Sequence, residues 1–175
     1  VVGAYGEDAG GTYAGAAYIF TRSGTTWSQQ AKLTASDAST ADYFGISSAI
    51  SGDTVVVAAH QESTGGTGAG AVYVFTRSGT TWSQQQKLVA SDPQTGDNLG
   101  YWVCIDGDTV VVGAPHEDAG GSNAGAAYVF TRSGTTWTQQ QKIVASDAQA
   151  SDYFGRSTAI SGDTVVVGAY GDDHN

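Results

Sequence analysis

The chain of 175 residues is long enough for one or two ordinary domains, and its 17 acidic against 7 basic residues leave a net charge of −10. That balance argues against nucleic acid and anionic lipid as partners, since both reward clusters of Lys and Arg, and no apolar run approaches the ~20 residues of a membrane-spanning helix. Cys104 is the only cysteine, so no intramolecular disulfide is available, and a lone cysteine among small residues reads as buried filler rather than a nucleophile.

The chain opens on Val1-Val2-Gly3-Ala4-Tyr5-Gly6-Glu7-Asp8, and a close copy stands at 166–173. Between them Thr-Arg-Ser-Gly-Thr-Thr-Trp starts at Thr21, Thr76 and Thr131, a step of 55 residues each time. Phe44-Gly45, Leu99-Gly100 and Phe154-Gly155 keep the same step, and each is followed by Gly-Asp and a Val run. A fixed period without gaps marks a repeat architecture. On this period, 1–43 supplies strands two to four of a first repeat, 44–98 and 99–153 are whole repeats, and 154–175 begins the next. With no initiator Met and no signal peptide in view, the expectation is a processed product or a window of a longer array.

The unit 44–98 divides into four strands. Strand one, Gly45 to Ile50, is mostly small residues and ends at the hairpin signal Ser51-Gly52-Asp53. Strand two, Thr54 to Ala59, is a continuous apolar run, which implies burial on both faces. Gln61 to Gly70 is a loop, too rich in glycine for a helix. Strand three, Ala71 to Phe75, turns Tyr73 and Phe75 one way and Val72 and Val74 the other. Strand four, Trp82 to Ala90, alternates Trp82, Gln84, Gln86 and Leu88 with Ser83, Gln85, Lys87 and Val89, so Lys87 is expected to point outward and protect an edge.

Small residues inside, two strands buried on both faces and one solvated strand outside describe a blade. The fold class is therefore all-β: a β-propeller of four-stranded antiparallel blades with a 55-residue repeat, about three blades in this chain. A two-sheet sandwich gives no reason for the step. Three blades do not close a ring, so their end faces need cover from more blades of the same chain, from a second copy, or from end-to-end stacking into a filament. The repeated opening phrase favours more blades.

Phe-Gly, a strand, Gly-Asp, an apolar run and Gly-Ala-Pro resemble the FG-GAP repeat of integrin α-subunit propellers and their microbial relatives. Leu99-Gly100 with Gly113-Ala114-Pro115 keeps the full ending; Phe154-Gly155 ends on Gly168-Ala169-Tyr170, and Phe44-Gly45 on Ala58-Ala59-His60. The resemblance covers nearly the whole chain. It implies a propeller and an extracellular, adhesive or structural role. Integrin-like repeats often carry an Asp-rich calcium loop between strands one and two, but here that hairpin is only Ser51-Gly52-Asp53, Asp106-Gly107-Asp108 or Ser161-Gly162-Asp163. One or two carboxylates do not fill six to eight positions, so no calcium is expected there and no cofactor is called for. Asp53, Asp108 and Asp163 are expected to fix their own turns.

Antiparallel blades place the strand two-to-three loops and the linkers on one face, and that face holds 13 of the 17 acids. There Glu7, Asp8, Glu117 and Asp118 are candidates for a cation, with solvated turn residues as the alternative. Tyr5, Tyr13, Tyr170 and Trp102 are candidates for a ligand or partner: Trp102 either plugs the central channel or offers a stacking platform to sugar. His60 and His116 do not share a repeat position, His174 is terminal, and no catalytic constellation is suggested by spacing, so the chain is expected not to be an enzyme. The partner is then a protein, further blades or a copy of itself, with a glycan as the alternative.

Overall fold

A computed structural model of the chain describes residues 1–8 and 10–173; Ala9, His174 and Asn175 lie outside them. Among the described residues there is no helix. Four antiparallel sheets follow one another. The first holds β1 (Val2–Ala4), β2 (Ala16–Ser23) and β3 (Thr26–Leu33). The second holds β4 (Ser48–Ser51), β5 (Thr54–Ala59), β6 (Ala71–Ser78) and β7 (Thr81–Leu88). The third holds β8 (Trp102–Asp106), β9 (Thr109–Ala114), β10 (Ala126–Ser133) and β11 (Thr136–Ile143), and the last β12 (Phe154–Ser161) and β13 (Thr164–Ala169). Within each sheet, strands adjacent in sequence are adjacent in space, as short hairpin connections require.

The Val run of β5 is buried throughout. Its alternation sends Val55, Val57 and Ala59, with Tyr73 and Phe75, against Ile19 and Leu33 of the first sheet. It sends Val56 and Ala58, with Val72 and Val74, against Val110, Val112, Tyr128 and Phe130 of the third. Each such side chain contributes about 1.5–3 kcal/mol by leaving water, and the contribution belongs to a pair of sheets rather than to either one. Strand one of each blade packs beside strand one of the next, β8 against β4 and β12, whereas the outer strands β3, β7 and β11 barely meet. The blades converge at their small-residue strands and splay at their tryptophan-bearing ones.

The two glycine-containing phrases meet across this boundary. Phe44, Leu99 and Phe154 wedge between successive blades. The glycine after each is left-handed, with φ of 96°, 95° and 94° at Gly45, Gly100 and Gly155. A Cβ on Gly113 would stand 1.8 Å from the carbonyl oxygen of Gly155, a contact no side chain survives. The glycine of one blade's Gly-Ala phrase is thus the bed for the Phe-Gly of the next.

Two sequence expectations change here. Strand one is shorter than Gly45–Ile50 in the second blade, because Ile46 N–H turns back to Tyr43 O at 3.1 Å before β4 begins. Strand four does not alternate cleanly. A β-bulge sets Phe75 opposite Gln84 but Val74 opposite Gln86, so Gln85 is the extra residue. Beyond it Lys87 pairs with Tyr73 and shares the face of Trp82, Gln84 and Phe75. Lys87 therefore points at the neighbouring blade, not outward.

Candidate functional site

The bulge delivers each strand-four lysine to a clasp between blades. Lys87 Nζ lies 2.7 Å from Asp37 Oδ2 in the preceding linker and 2.8 Å from Glu62 Oε1 in its own blade. It sits 5.4 Å from the centre of the Tyr73 ring, and the Tyr73 hydroxyl donates to Asp37 Oδ1 at 2.8 Å. One period later Lys142 holds Asp92 at 2.8 Å and Glu117 at 2.7 Å, and Tyr128 donates to Asp92 at 3.0 Å. In the first blade Lys32 meets Glu7 at 2.6 Å. Burial pushes Asp37 and Asp92 up, but the hydrogen bonds from lysine and tyrosine outweigh it and hold both carboxyls below their usual range. Burial likewise opposes the charge on Lys87 and Lys142, and their carboxylates outweigh it. The clasps are ion pairs at neutral pH, so much of the acidic face is committed to joining blades.

Three of the remaining linker acids are caps. Asp42, Asp97 and Asp152 accept from the backbone N–H three residues earlier, at Ser39, Gln94 and Gln149. On the opposite face Asp53 accepts from Arg77 and Asp108 from Arg132, so these two acids tie two hairpins of one blade together instead of closing their own turns. Each of these arginines also covers its tryptophan, Arg77 over Trp82 at 5.5 Å and Arg132 over Trp137 at 5.0 Å.

Beside the clasps, where strand-two ends meet the linkers, runs a row of eight aromatic rings. Tyr5 and Tyr13 both touch Tyr43, at 6.1 and 5.8 Å between centroids. Tyr43 leads to His60 at 5.7 Å, His60 to Tyr101 at 5.8 Å and Tyr101 to His116 at 6.5 Å. His116 leads to Tyr153 at 5.5 Å, and Tyr153 stacks on Tyr170 at 5.1 Å. These separations fall in the range of favourable aromatic pairs. The Arg156 guanidinium caps the row, 4.0 Å from the centre of Tyr101 and 5.4 Å from that of Tyr170. Burial, aided by neighbouring His116, depresses His60 to about 4, so this ring is neutral at neutral pH. Its Nδ1 is buried without a hydrogen-bond partner. Tyr43 and Tyr153 hold φ of 57° and 55°, a left-handed backbone that bulky residues rarely adopt.

A model of the FG-GAP repeat matches residues 27–75, 82–130 and 137–175. The chain belongs to the FG-GAP repeat family. No characterised protein matches it. Each FG-GAP segment begins on the tryptophan of strand four, Trp27, Trp82 or Trp137. The first two end on the phenylalanine of strand three in the next blade, Phe75 and Phe130, so the repeat unit straddles a blade boundary. FG-GAP repeats build β-propeller-like protein-interaction modules, generally non-enzymatic and typical of extracellular or surface proteins.

Within this FG-GAP chain the candidate ligand residues divide. Tyr5, Tyr13 and Tyr170 enter the row, the first two at one end and Tyr170 at the other. Trp102 is half-exposed on β8, and among the described residues its ring touches no other aromatic side chain. The four candidate cation ligands do not converge. Glu7 is on Lys32 and Glu117 on Lys142 and the Ala119 N–H, while Asp8 and Asp118 accept from the N–H groups of Tyr13 and Asn123. Among the described residues no three His, Cys, Asp or Glu side chains are grouped to share an ion. What the geometry gathers at Glu117 is a lysine. Cys104 is half-buried, and burial pushes its thiol up. Tyr43, His60, Tyr101, His116, Tyr153 and Arg156 were not singled out as binding residues by sequence. The usable signal was that Tyr43 and Tyr153 both directly precede Phe-Gly.

Proposed function

We propose that the chain is a non-enzymatic adhesive module of an extracellular or cell-surface protein, making its contacts through the face that carries the strand two-to-three loops and the linkers. The observation that supports this is the aromatic row. Large rings are gathered on that face, with Tyr5, Tyr13 and Tyr170 half or more exposed, while Asp37, Glu62, Asp92 and Glu117 there are occupied in the clasps. Adhesion of cells or matrix proteins to a surface coated with the chain is the test. Adhesion lost on Tyr13→Ala and Tyr170→Ala but kept on Arg22→Ala, at the opposite face, is the expected outcome; equal loss from both faces counts against it. The reading includes no cofactor, so a chelator leaves both adhesion and the melting temperature unchanged.

A second reading, a structural subunit whose blades stack on further blades or copies, draws on the exposed apolar residues Trp27 and Val166 on the outermost sheets. Sedimentation that stays monomeric across a wide concentration range removes it.

A further inference from the structure

The adhesive reading names no ligand chemistry, and the aromatic row carries the inference further. We infer that the row is a binding site for an uncharged glycan chain, lying lengthwise from Tyr43 across Tyr101 to Tyr153 with Arg156 donating to sugar oxygens.

Four observations converge. First, the five central rings repeat at 5.7, 5.8, 6.5 and 5.5 Å, close to the length of one pyranose unit. A regular row of this kind fits a polymer of like units better than one small ligand. Their planes turn by 39°, 77°, 68° and 83° from one ring to the next, so the row presents both faces, for sugar C–H groups, and polar edges, for hydroxyls. Second, Arg156 lies on Tyr101 and Tyr170 and, among the described residues, has no carboxylate in ion-pair range, whereas all three lysines, Arg77 and Arg132 are paired. Its donors are not consumed by the fold.

Third, the fold leaves costs at the row that it settles elsewhere. The unpartnered Nδ1 of His60 carries an uncompensated desolvation penalty, and Tyr43 and Tyr153 keep backbone conformations that Asn98 adopts at the equivalent place with less strain. Such defects collect at binding sites. Fourth, charge selects the ligand. A chain of net charge −10 with exposed Asp8 and Asp118 in the adjoining loops repels uronate, sulfated glycan and acidic peptide, while its carboxylates accept from neutral sugar hydroxyls. A proline-rich peptide also stacks on tyrosines but brings no hydroxyl donors to that rim.

The test is titration of the isotopically labelled chain with neutral hexasaccharides of the β-glucan, mannan and chitin types, followed by NMR and calorimetry. At least one binds, with the largest shifts at Tyr43, Tyr101, Tyr153 and Arg156. Tyr101→Ala and Arg156→Ala each weaken it by about tenfold or more. Tyr43→Asn, which mimics Asn98 and so keeps the backbone, weakens it likewise, and Trp27→Ala leaves it unchanged. The inference is overturned if no neutral hexasaccharide binds at millimolar concentration, or if shifts map away from the row. It is equally overturned if a hexauronate or a proline-rich decapeptide binds in place of neutral sugar. Adhesion that persists while every hexasaccharide fails removes this site and leaves the adhesive module standing, so the two failures are separable.

Discussion

Trp27 and Trp137 close the same seven-residue phrase at equivalent turns of two blades, yet one is 62% exposed and the other 2%. Lys32 and Lys142 differ in the same way: the first meets one carboxylate, the second two from different blades. Local sequence is nearly identical in the two places. What differs is that the second sheet stands against Trp137, through Gln85 and Gln86, whereas among the described residues no sheet stands against Trp27. In this fold the stabilising contacts are a property of the seam between blades, as nearest-neighbour energetics of repeat proteins require.

The sharpest way to break that contrast is to delete the tryptophans. Trp137→Ala is expected to cost about 3–5 kcal/mol in chemical denaturation, and Trp27→Ala about 0.5 kcal/mol or less; equal losses would mean that the seam is not the source of stability. Next comes the clasp. Lys142→Met strands the Glu117 side chain, 1% exposed, and is expected to cost about 3 kcal/mol, against ~1 kcal/mol or less for Lys32→Met. Adding Glu117→Gln to Lys142→Met should return much of the loss.

A smaller effect separates two glycines of similar backbone. Gly125 has φ of +85° and a Cβ there would lie 2.1 Å from Phe154 O, across the seam, whereas Gly134 at +63° has open space. Gly134→Ala should cost about 1 kcal/mol for the left-handed backbone alone, and Gly125→Ala clearly more, read as the difference in melting temperature. The gentlest probe is acid. Asp37 and Asp92 have folded values below the unfolded one, so their contribution is present above the unfolded value of about 3.9 and is lost as pH falls through the lowered folded value. Asp42 and Asp97, raised chiefly by burial, act in the opposite sense over the range just above. An Asp37→Asn, Asp92→Asn chain should therefore lose less stability between pH 4 and the acid limit than the parent does.

The sequence made the blade legible because period and alternation report directly on strands. The Val run of β5 and the opposed faces of Tyr73 and Val74 needed no other information. Lys87 was misread for a physical reason: one bulged residue, Gln85, reverses the facing of everything beyond it, and nothing in the order of side chains announces a bulge. Strand-one bounds were misplaced because Gly45 and Ile46 make a turn with the preceding tyrosine. The aromatic row was hidden more deeply. Its histidines stand one register apart in their repeats, His60 level with Pro115 and His116 one place later, so alignment of the copies separates what the fold assembles.

The straddling unit has a consequence for how such a chain can change in length. A segment running from Trp27 to the residue before Trp82, or from Trp82 to the one before Trp137, joins the outer strand of one blade to the three inner strands of the next. A tandem duplication of 55 residues, wherever it is cut, would therefore add four strands in the order the fold already uses. Growth by copying lengthens the row of blades by one whole blade and leaves no strand without a place.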